Sequence, residues 1–322
     1  MKKITCIVFV LIFSTKLFSQ ALMTENEKLA SLCKVWGFLK YYNSEVCQGK
    51  LQWDKELTNR IDLVLSAKNR QELSKIYTNW INSLGTVFPS SGSDRPGVDS
   101  LPVNPALGWI DNRDLFTDSL ICLLHYQEKR KQGKQNYYAG RAGAGNVNIK
   151  HEEPYTDSVY PSSGRRLLSL FRYWNIVNYF FPYKKIIGED WDKVLEEMIP
   201  EFKNAMDTVS YHVAMKRLTV KTNDSHSQFS TPYTRTYYGH YFAPIKFKVA
   251  EHKAIVTGFC NDTLAGIDDI KYGDVILAVD GKNIEALIEE RKGFFGASDE
   301  AVQIRNMVHS AIIFNGRLID GI

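Results

Sequence analysis

The chain has 322 residues, of which 44% are hydrophobic and 24% are charged. This length is enough for two or three domains, and the composition excludes both an intrinsically disordered chain and a collagen-like repeat. The 40 basic and 36 acidic residues are nearly balanced, which argues against the strongly basic surface of a nucleic-acid-binding protein.

The N-terminus has the pattern of a secretory signal peptide. Two lysines follow Met1, and a short apolar run covers residues 4–13. That run is too short to span a bilayer, so residues 1–19 are predicted to be a signal that is cleaved after Ser19 or Gln20. Cleavage removes three of the 40 basic residues and leaves 37 against 36 acidic ones. We therefore expect an exported protein, periplasmic or extracellular, with no membrane attachment after cleavage and no nucleic-acid partner.

Residues 20–85 are predicted to form a module of three helices. Apolar side chains recur at helical spacing in its first part, and Thr24 with Glu27 has the capping-box pattern that begins a helix. Helix-forming segments and their stop signals predict the three helices over 24–42, 53–66 and 70–84.

The same helical pattern returns 138 positions later. Trp36 and the aromatic residues after it align with Trp174, and Trp53 aligns with Trp191 at the same offset. Two matches at one offset, each anchored by tryptophan, predict a second copy of the module over residues 164–227. The aromatic side chains of both copies are interpreted as core residues rather than as a ligand site.

The segment between the copies, residues 86–163, is predicted to be a small β-rich insert. Prolines and glycines interrupt its first part, and the apolar run 119–126 fits a buried strand with 135–139 as its partner. The glycines of 140–145 resemble a phosphate loop. They lack its lysine and no helical pattern follows them, so we interpret them as a flexible loop.

Four cysteines remain after signal cleavage, and in an oxidising compartment they allow three disulfide pairings. Cys33 and Cys47 are the closest pair in sequence and would tie a helix to the loop after it; four buried thiols are the alternative. No spacing among the cysteines indicates a metal site, so neither a metal nor another cofactor is expected. The four residues are Cys33, Cys47, Cys122 and Cys260.

After His226 the apolar pattern changes from a helical to an alternating period. The turn signals Gly273-Asp274 and Asp280-Gly281 predict, respectively, entry into a buried strand and a hairpin. The alternation predicts a strand pair over 242–249 and 253–259, and helices are predicted over 284–292 and 299–310.

Three strings in this region together resemble a PDZ domain of the permuted bacterial type. They are Ala265-Gly266-Ile267, then Tyr272-Gly273-Asp274-Val275-Ile276, then Val279-Asp280-Gly281. A helical region ending in Asp224-Ser225-His226-Ser227 precedes them, and Gly296-Ala297-Ser298 with a helix follows. This order, over about residues 164–315, is similar to the front half of a tail-specific serine peptidase, the family of C-terminal-processing and tricorn-like peptidases.

Together with the repeat, these patterns predict an α+β fold, with duplicated three-helix modules around the β-rich insert. A PDZ-like, partly open β-barrel domain and a linker over 228–315 would follow. The catalytic core that carries the family's serine has recognisable strings that do not occur here. We therefore expect that the core is missing, that the sequence is truncated, and that this chain alone is inactive in proteolysis.

His226 matches the general base of the tricorn-like branch, whereas other branches use a lysine from the core. An imidazole titrates near neutral pH and can activate a serine hydroxyl, which is a poor nucleophile unaided. The alternative is that Asp224 caps a turn and His226 is a polar residue at a domain junction.

PDZ domains add an extended peptide to a sheet edge and bind its terminal carboxylate with backbone amides. By resemblance, that loop should include Tyr241, Phe242, Ala243 and Ile245, although Pro244 between them has no N–H to donate. Expected partners are therefore peptide or protein C-termini. The competing hypotheses are a peptidase portion and a non-catalytic exported peptide-binding protein, and a PDZ-like fold acting as a structural lid is a further alternative.

Overall fold

The computed structural model describes residues 23–85, 106–129, 136–143, 146–267, 269–310 and 312–314. The predicted signal peptide (1–19) and the proline-rich start of the insert (86–105) lie outside this part of the chain. The first three helices occur where they were predicted: α1 (Glu25–Tyr42), α2 (Trp53–Ser66) and α3 (Arg70–Ser83). The predicted capping box begins α1, because the Thr24 hydroxyl accepts from the Glu27 N–H at 3.1 Å and the Glu27 carboxylate accepts from the Thr24 N–H at 2.7 Å.

The insert is less β-rich than predicted. The apolar run 119–126 forms a helix, α4 (Asp118–Lys129), so the prediction of a buried strand there is wrong. Its buried residues recur at helical spacing, but a run this short does not distinguish a strand from a buried helix by period alone. The strand predicted over 135–139 begins only at its last residue. It is β1 (Ala139–Arg141), paired antiparallel with β2 (Val147–Ile149).

The second helical copy is present as α5 (Ser163–Phe180), α6 (Trp191–Lys203) and α7 (Thr208–Val220). Each of these helices begins 138 positions after its counterpart in the first copy. In copy one the indole N–H groups of Trp36 and Trp53 each donate to the other's carbonyl oxygen, at 3.0 and 3.2 Å. Trp174 and Trp191 repeat this reciprocal pair at 2.7 and 3.0 Å. The tryptophans that revealed the repeat are therefore its core, as predicted.

The two copies pack against each other around a local two-fold relation. Gly37 faces Asn175, its own counterpart at the 138-residue offset, and a Cβ on Gly37 would lie only 1.9 Å from the Asn175 Oδ1. The Asn175 amide donates to the Cys33 carbonyl at 3.1 Å. This close approach needs a glycine at position 37, because any larger side chain would push α1 and α5 apart.

Ion pairs between the copies follow the same symmetry. Lys34 of α1 pairs with Asp192 of α6 at 2.9 Å, and its counterpart Arg172 of α5 pairs with Asp54 of α2. One continuous hydrophobic core includes residues of both copies, α4 and the start of β1. The modules and the insert therefore stabilise one another rather than each burying a core of its own.

A second, smaller core contains residues that follow the helical copies together with Val213 of α7. Strands β3, β4 and β5 make an antiparallel sheet in that order, and β6 and β7 make a separate hairpin. The predicted strand pair and the two helices after it are confirmed. The elements are α8 (Pro232–Arg235), β3 (Ile245–Ala250), β4 (Lys253–Phe259), α9 (Asp262–Ile267), β5 (Val275–Ile276), β6 (Ala278–Val279), β7 (Lys282–Asn283), α10 (Ile284–Arg291) and α11 (Glu300–His309).

The protein is thus α+β, and its described strands form open sheets rather than a closed barrel. All four cysteines in the described ranges are free thiols, and Cys33 and Cys47 do not form the disulfide considered above. Burial raises the pKa of Cys47 to about 12, so this thiol stays protonated and inert. Within the same ranges, no helix has both the length and the apolar character needed to span a membrane.

Candidate functional site

His226 lies in a loop between α7 and α8 and carries a local carboxylate partner. Its Nδ1 lies 3.2 Å from the Asp224 Oδ1, which also accepts from the His226 backbone N–H at 2.9 Å. Since an ionised carboxylate only accepts, the imidazole donates through Nδ1 and leaves Nε2 as an acceptor. A catalytic triad uses the same pairing of an imidazole Nδ1 with a carboxylate, but the bond from the His226 N–H to Asp224 also makes an Asx turn, as in the alternative that Asp224 caps a turn.

The loop is held from two sides. The Tyr173 hydroxyl of α5 is 2.8 Å from the Ser227 hydroxyl, and the Asn223 amide donates to the Ile187 carbonyl at 2.7 Å. On the other side, a Cβ on Gly296 would lie 3.2 Å from the Asp224 carbonyl oxygen. The loop therefore joins the helical scaffold to the segment between α10 and α11, consistent with a fixed junction.

No residue in the part of the chain that the structure describes supplies the reacting partners of a hydrolase around His226. Its side chain is 94% exposed, and Asp224 is its only hydrogen-bond partner among the residues described. A water-exposed base without a bound hydroxyl lacks the desolvated, preorganised surroundings that catalysis needs. The same residues also contain no group of three metal-ligating side chains.

Strand β3 lies at the edge of its sheet, paired with β4 on one side only within the described ranges. The turn between these strands is Glu251-His252, where both residues have positive φ, 49° and 58°. A two-residue turn of this kind makes Ala250 and Lys253 a hydrogen-bonded pair. Because such pairs alternate along an antiparallel ladder, the backbone groups of Phe247 and Val249 point away from β4 towards the open edge.

The predicted peptide-binding residues lie just before this edge. Tyr241 and Phe242 are each 55% exposed, and Ala243 is half-buried against the second core. The side chain of Ile245 is only 5% exposed and faces that core, so only its backbone can contact a ligand. The Pro244 carbonyl accepts from the Cys260 N–H at 2.8 Å, which fixes the path of the loop.

An exposed apolar surface continues on the same unit. Val275 is 48% exposed and Leu277 63% exposed, so the prediction of a buried strand here is wrong. The alternating pattern gave no sign of this, because it cannot reveal whether another element covers the strand. Scattered exposed apolar residues are ordinary, but several in one unit are typical of an interaction surface. The others are Leu264, Ile267 and Tyr272.

A second polar centre, which the sequence did not predict, lies under the insert. Arg172 pairs with both Asp54 and Glu152, and Glu152 in turn pairs with Lys40. The Tyr155 hydroxyl donates to Asp54 at 3.1 Å. These charges come from α1, α2, α5 and the segment after β2, so only the folded insert brings them together.

Lys40 is unusual among lysines because it is only 1% exposed. Its ammonium lies 4.7 Å from the Trp36 ring centroid and 4.6 Å from that of Tyr138. Burial lowers the pKa of Lys40, while the Glu152 carboxylate opposes that shift. Two aromatic faces and one carboxylate thus replace the water around this cation.

Comparisons of the chain with protein-family models, with curated proteins and with solved structures gave no match.

Proposed function

We propose that this chain is the scaffold and peptide-binding portion of an exported serine peptidase of the tail-specific type, and that residues 228–315 bind the ends of extended peptides. The observation that carries the proposal is the edge of β3 that pairs with no strand among the described residues, with the half-exposed Tyr241 and Phe242 just before it and α11 packed near the strand. The resemblance of the same segment to a PDZ domain supports it.

The edge offers what an added strand requires. The backbone groups of Phe247 and Val249 point outward and can pair with a peptide, as neighbouring strands of a sheet do. The side chains of Ile245, Phe247 and Val249 face the core, whereas Lys246 and Lys248 are exposed. Exposed lysines on an edge strand hinder its pairing with a second copy of itself. They also favour a peptide that ends in a carboxylate.

In a complete peptidase, His226 would act as general base with Asp224 as its orienting acid, once a serine hydroxyl is brought to Nε2. The alternative, a non-catalytic peptide-binding protein, is favoured by the exposure of His226. A fluorophosphonate serine probe separates the two. No labelling of the purified chain supports peptide binding without hydrolysis, whereas labelling that requires His226 would indicate a complete catalytic site in this chain.

The binding proposal predicts a specific effect of replacing Val249 by proline. Val249→Pro removes an N–H that points to the open edge and leaves the ladder to β4 intact, so binding of a peptide with an apolar end and free carboxylate should weaken at least about tenfold. Fluorescence anisotropy of labelled peptides from a C-terminal library measures this.

Val249→Thr is the matched control, because it changes the side chain and keeps the N–H; it should bind as the unaltered chain does. Amidated versions of the same peptides should bind more weakly, since the carboxylate is lost. Absence of saturable binding to any library peptide, or equal affinities for Val249→Pro and Val249→Thr, would count against strand addition at β3.

A further inference from the structure

A cavity of about 460 Å³ opens between the start of α2, the insert and the start of α5. It lies between the first helical copy, the insert and α5 of the second copy, in contact with the buried charge network and apart from the β3 edge. Its size is within the range of small-molecule sites. The residues around it that bear on ligand chemistry are Asp54, Lys55, His151, Glu153, Tyr155 and Arg165.

His151 presents a defined acceptor at this cavity. Its Nδ1 lies 2.7 Å from the Tyr137 carbonyl oxygen, which can only accept, so Nδ1 carries the proton. Nε2 is then a lone-pair acceptor with no partner among the described residues. The Tyr137 ring stacks on the imidazole at 3.8 Å on one face and packs on the other against Gly49, whose added Cβ would lie 2.3 Å from it.

The backbone of the segment 151–155, which lines this cavity, is also strained. His151 and Tyr155 have φ values of 55° and 46°, which bulky L-residues rarely adopt. The other non-glycine residues with positive φ lie in turns or at a helix end. Strain of this kind persists where the surroundings hold it in place, and it concentrates at ligand sites. Here two contacts of Asp54 stabilise the strained backbone: its ion pair with Arg172 and the hydrogen bond that it accepts from the Tyr155 hydroxyl.

Donors and acceptors of both charges surround the cavity. Lys55 is exposed and has no ion-pair partner among the described residues. Arg165 uses one nitrogen, Nη1, for both Asp157 oxygens, at 2.8 and 2.6 Å, which leaves Nε and Nη2 for a ligand. Acceptors are the His151 Nε2 and the carboxylates of Asp54 and Glu153.

The first turn of α2 adds further donors. Its N-cap, Gln52, makes no side-chain capping bond, whereas the counterpart Asp190 caps α6 by accepting from the Asp192 N–H at 3.0 Å. The first turn of α2 therefore keeps backbone N–H groups without a side-chain cap, unlike the equivalent turn of α6.

From this mixture we propose that the cavity binds a neutral polyhydroxylated ligand, a mono- or disaccharide. A sugar hydroxyl both donates and accepts, so one ligand can satisfy the imidazole nitrogen, the carboxylates and the cationic donors together. A fully ionised inorganic anion can accept from the cationic donors but cannot donate to the carboxylates of Asp54 and Glu153 or to the His151 Nε2. A cationic ligand could not bind on the aromatic faces, because they already contact cationic side chains of the protein. Arg165 and Arg172 lie over the Tyr155 ring, and Lys40 lies over the Tyr138 ring. Leu51, which is half-buried, supplies an apolar part of the lining for the C–H face of a sugar ring, whereas Trp53 and Leu168 are each 2% exposed and belong to the core.

The test measures binding of three disaccharides to the full chain by calorimetry and ligand-observed NMR. The disaccharides are cellobiose, maltose and N,N′-diacetylchitobiose. We expect saturable binding of at least one at millimolar concentration. Thr58→Trp, which fills the cavity from α2, should abolish it, and His151→Ala should weaken it about tenfold, the effect of one lost hydrogen bond.

The repeat supplies a matched control for a third variant. Lys55→Ala should weaken sugar binding, whereas Lys193→Ala, the same change at the equivalent exposed position of the second copy, should not. Thermal unfolding of each variant verifies that it is folded. Three results would overturn the proposal: no binding of any disaccharide, undiminished binding by a folded Thr58→Trp variant, or binding of inorganic phosphate in place of sugars with the same dependence on Lys55.

Discussion

Replacing Arg172 by alanine is expected to lower the free energy of unfolding by about 3–5 kcal/mol, the usual cost of removing one partner from a buried ion pair. Arg172, Asp54 and Glu152 have side chains that are 15%, 17% and 19% exposed. Without the guanidinium, two carboxylates remain close together in poorly hydrated surroundings, and Lys40 alone is left to neutralise them.

The matched control is Lys34→Ala, because Lys34 occupies the position of Arg172 in the other copy. Its partner Asp192 is 55% exposed, so water compensates the carboxylate and the loss should be only about 0–1 kcal/mol. Urea unfolding monitored by circular dichroism measures the free energy of unfolding of both variants. Equal losses for the two variants would show that the insert does not shield the Arg172 network from solvent.

Replacing Trp174 by alanine should cost about 3–5 kcal/mol, as large-to-small changes of buried aromatic residues do. Trp174 is 1% exposed, and its indole N–H donates to the Trp191 carbonyl, which would lose its partner. Tyr183→Ala, at a tyrosine that is 61% exposed, is the control and should change stability by only about 0.5 kcal/mol.

The same variant tests whether the two helical copies share one core. Because that core runs through both copies, Trp174→Ala should lower the unfolding midpoint of the first copy as well, as reported by NMR signals of Trp36 and Trp53. If those signals kept their original midpoint, the copies would be independent domains and the shared core would be wrong.

The helical scaffold was predictable because its signals are local and occur twice. The Trp36/Trp174 and Trp53/Trp191 matches fixed the offset, and the Thr24/Glu27 capping box marked the first start. The hairpin turn at Asp280-Gly281 was similarly local, because Asp and Gly tolerate the positive φ that both residues have there.

The features that the sequence predicted wrongly, or did not predict, depend on tertiary contacts. The run 119–126 is apolar enough for either a strand or a helix. It forms the helix α4, whose buried face packs against the scaffold. Val275 belongs to a strand that no described element covers, which alternation cannot reveal. The charge network needs Glu152 to meet Lys40 across 112 positions of sequence, and no spacing rule connects such residues.

Amide hydrogen exchange, with and without a saturating peptide that has an apolar end and a free carboxylate, tests directly whether a peptide binds at β3. If the peptide adds as a strand to β3, the N–H groups of Phe247 and Val249 should exchange more slowly when it is bound, because they point to the open edge. Those of Lys248 and Ala250, already paired with β4, should change little. Bound peptide with unchanged exchange at Phe247 and Val249 would contradict peptide binding at this edge.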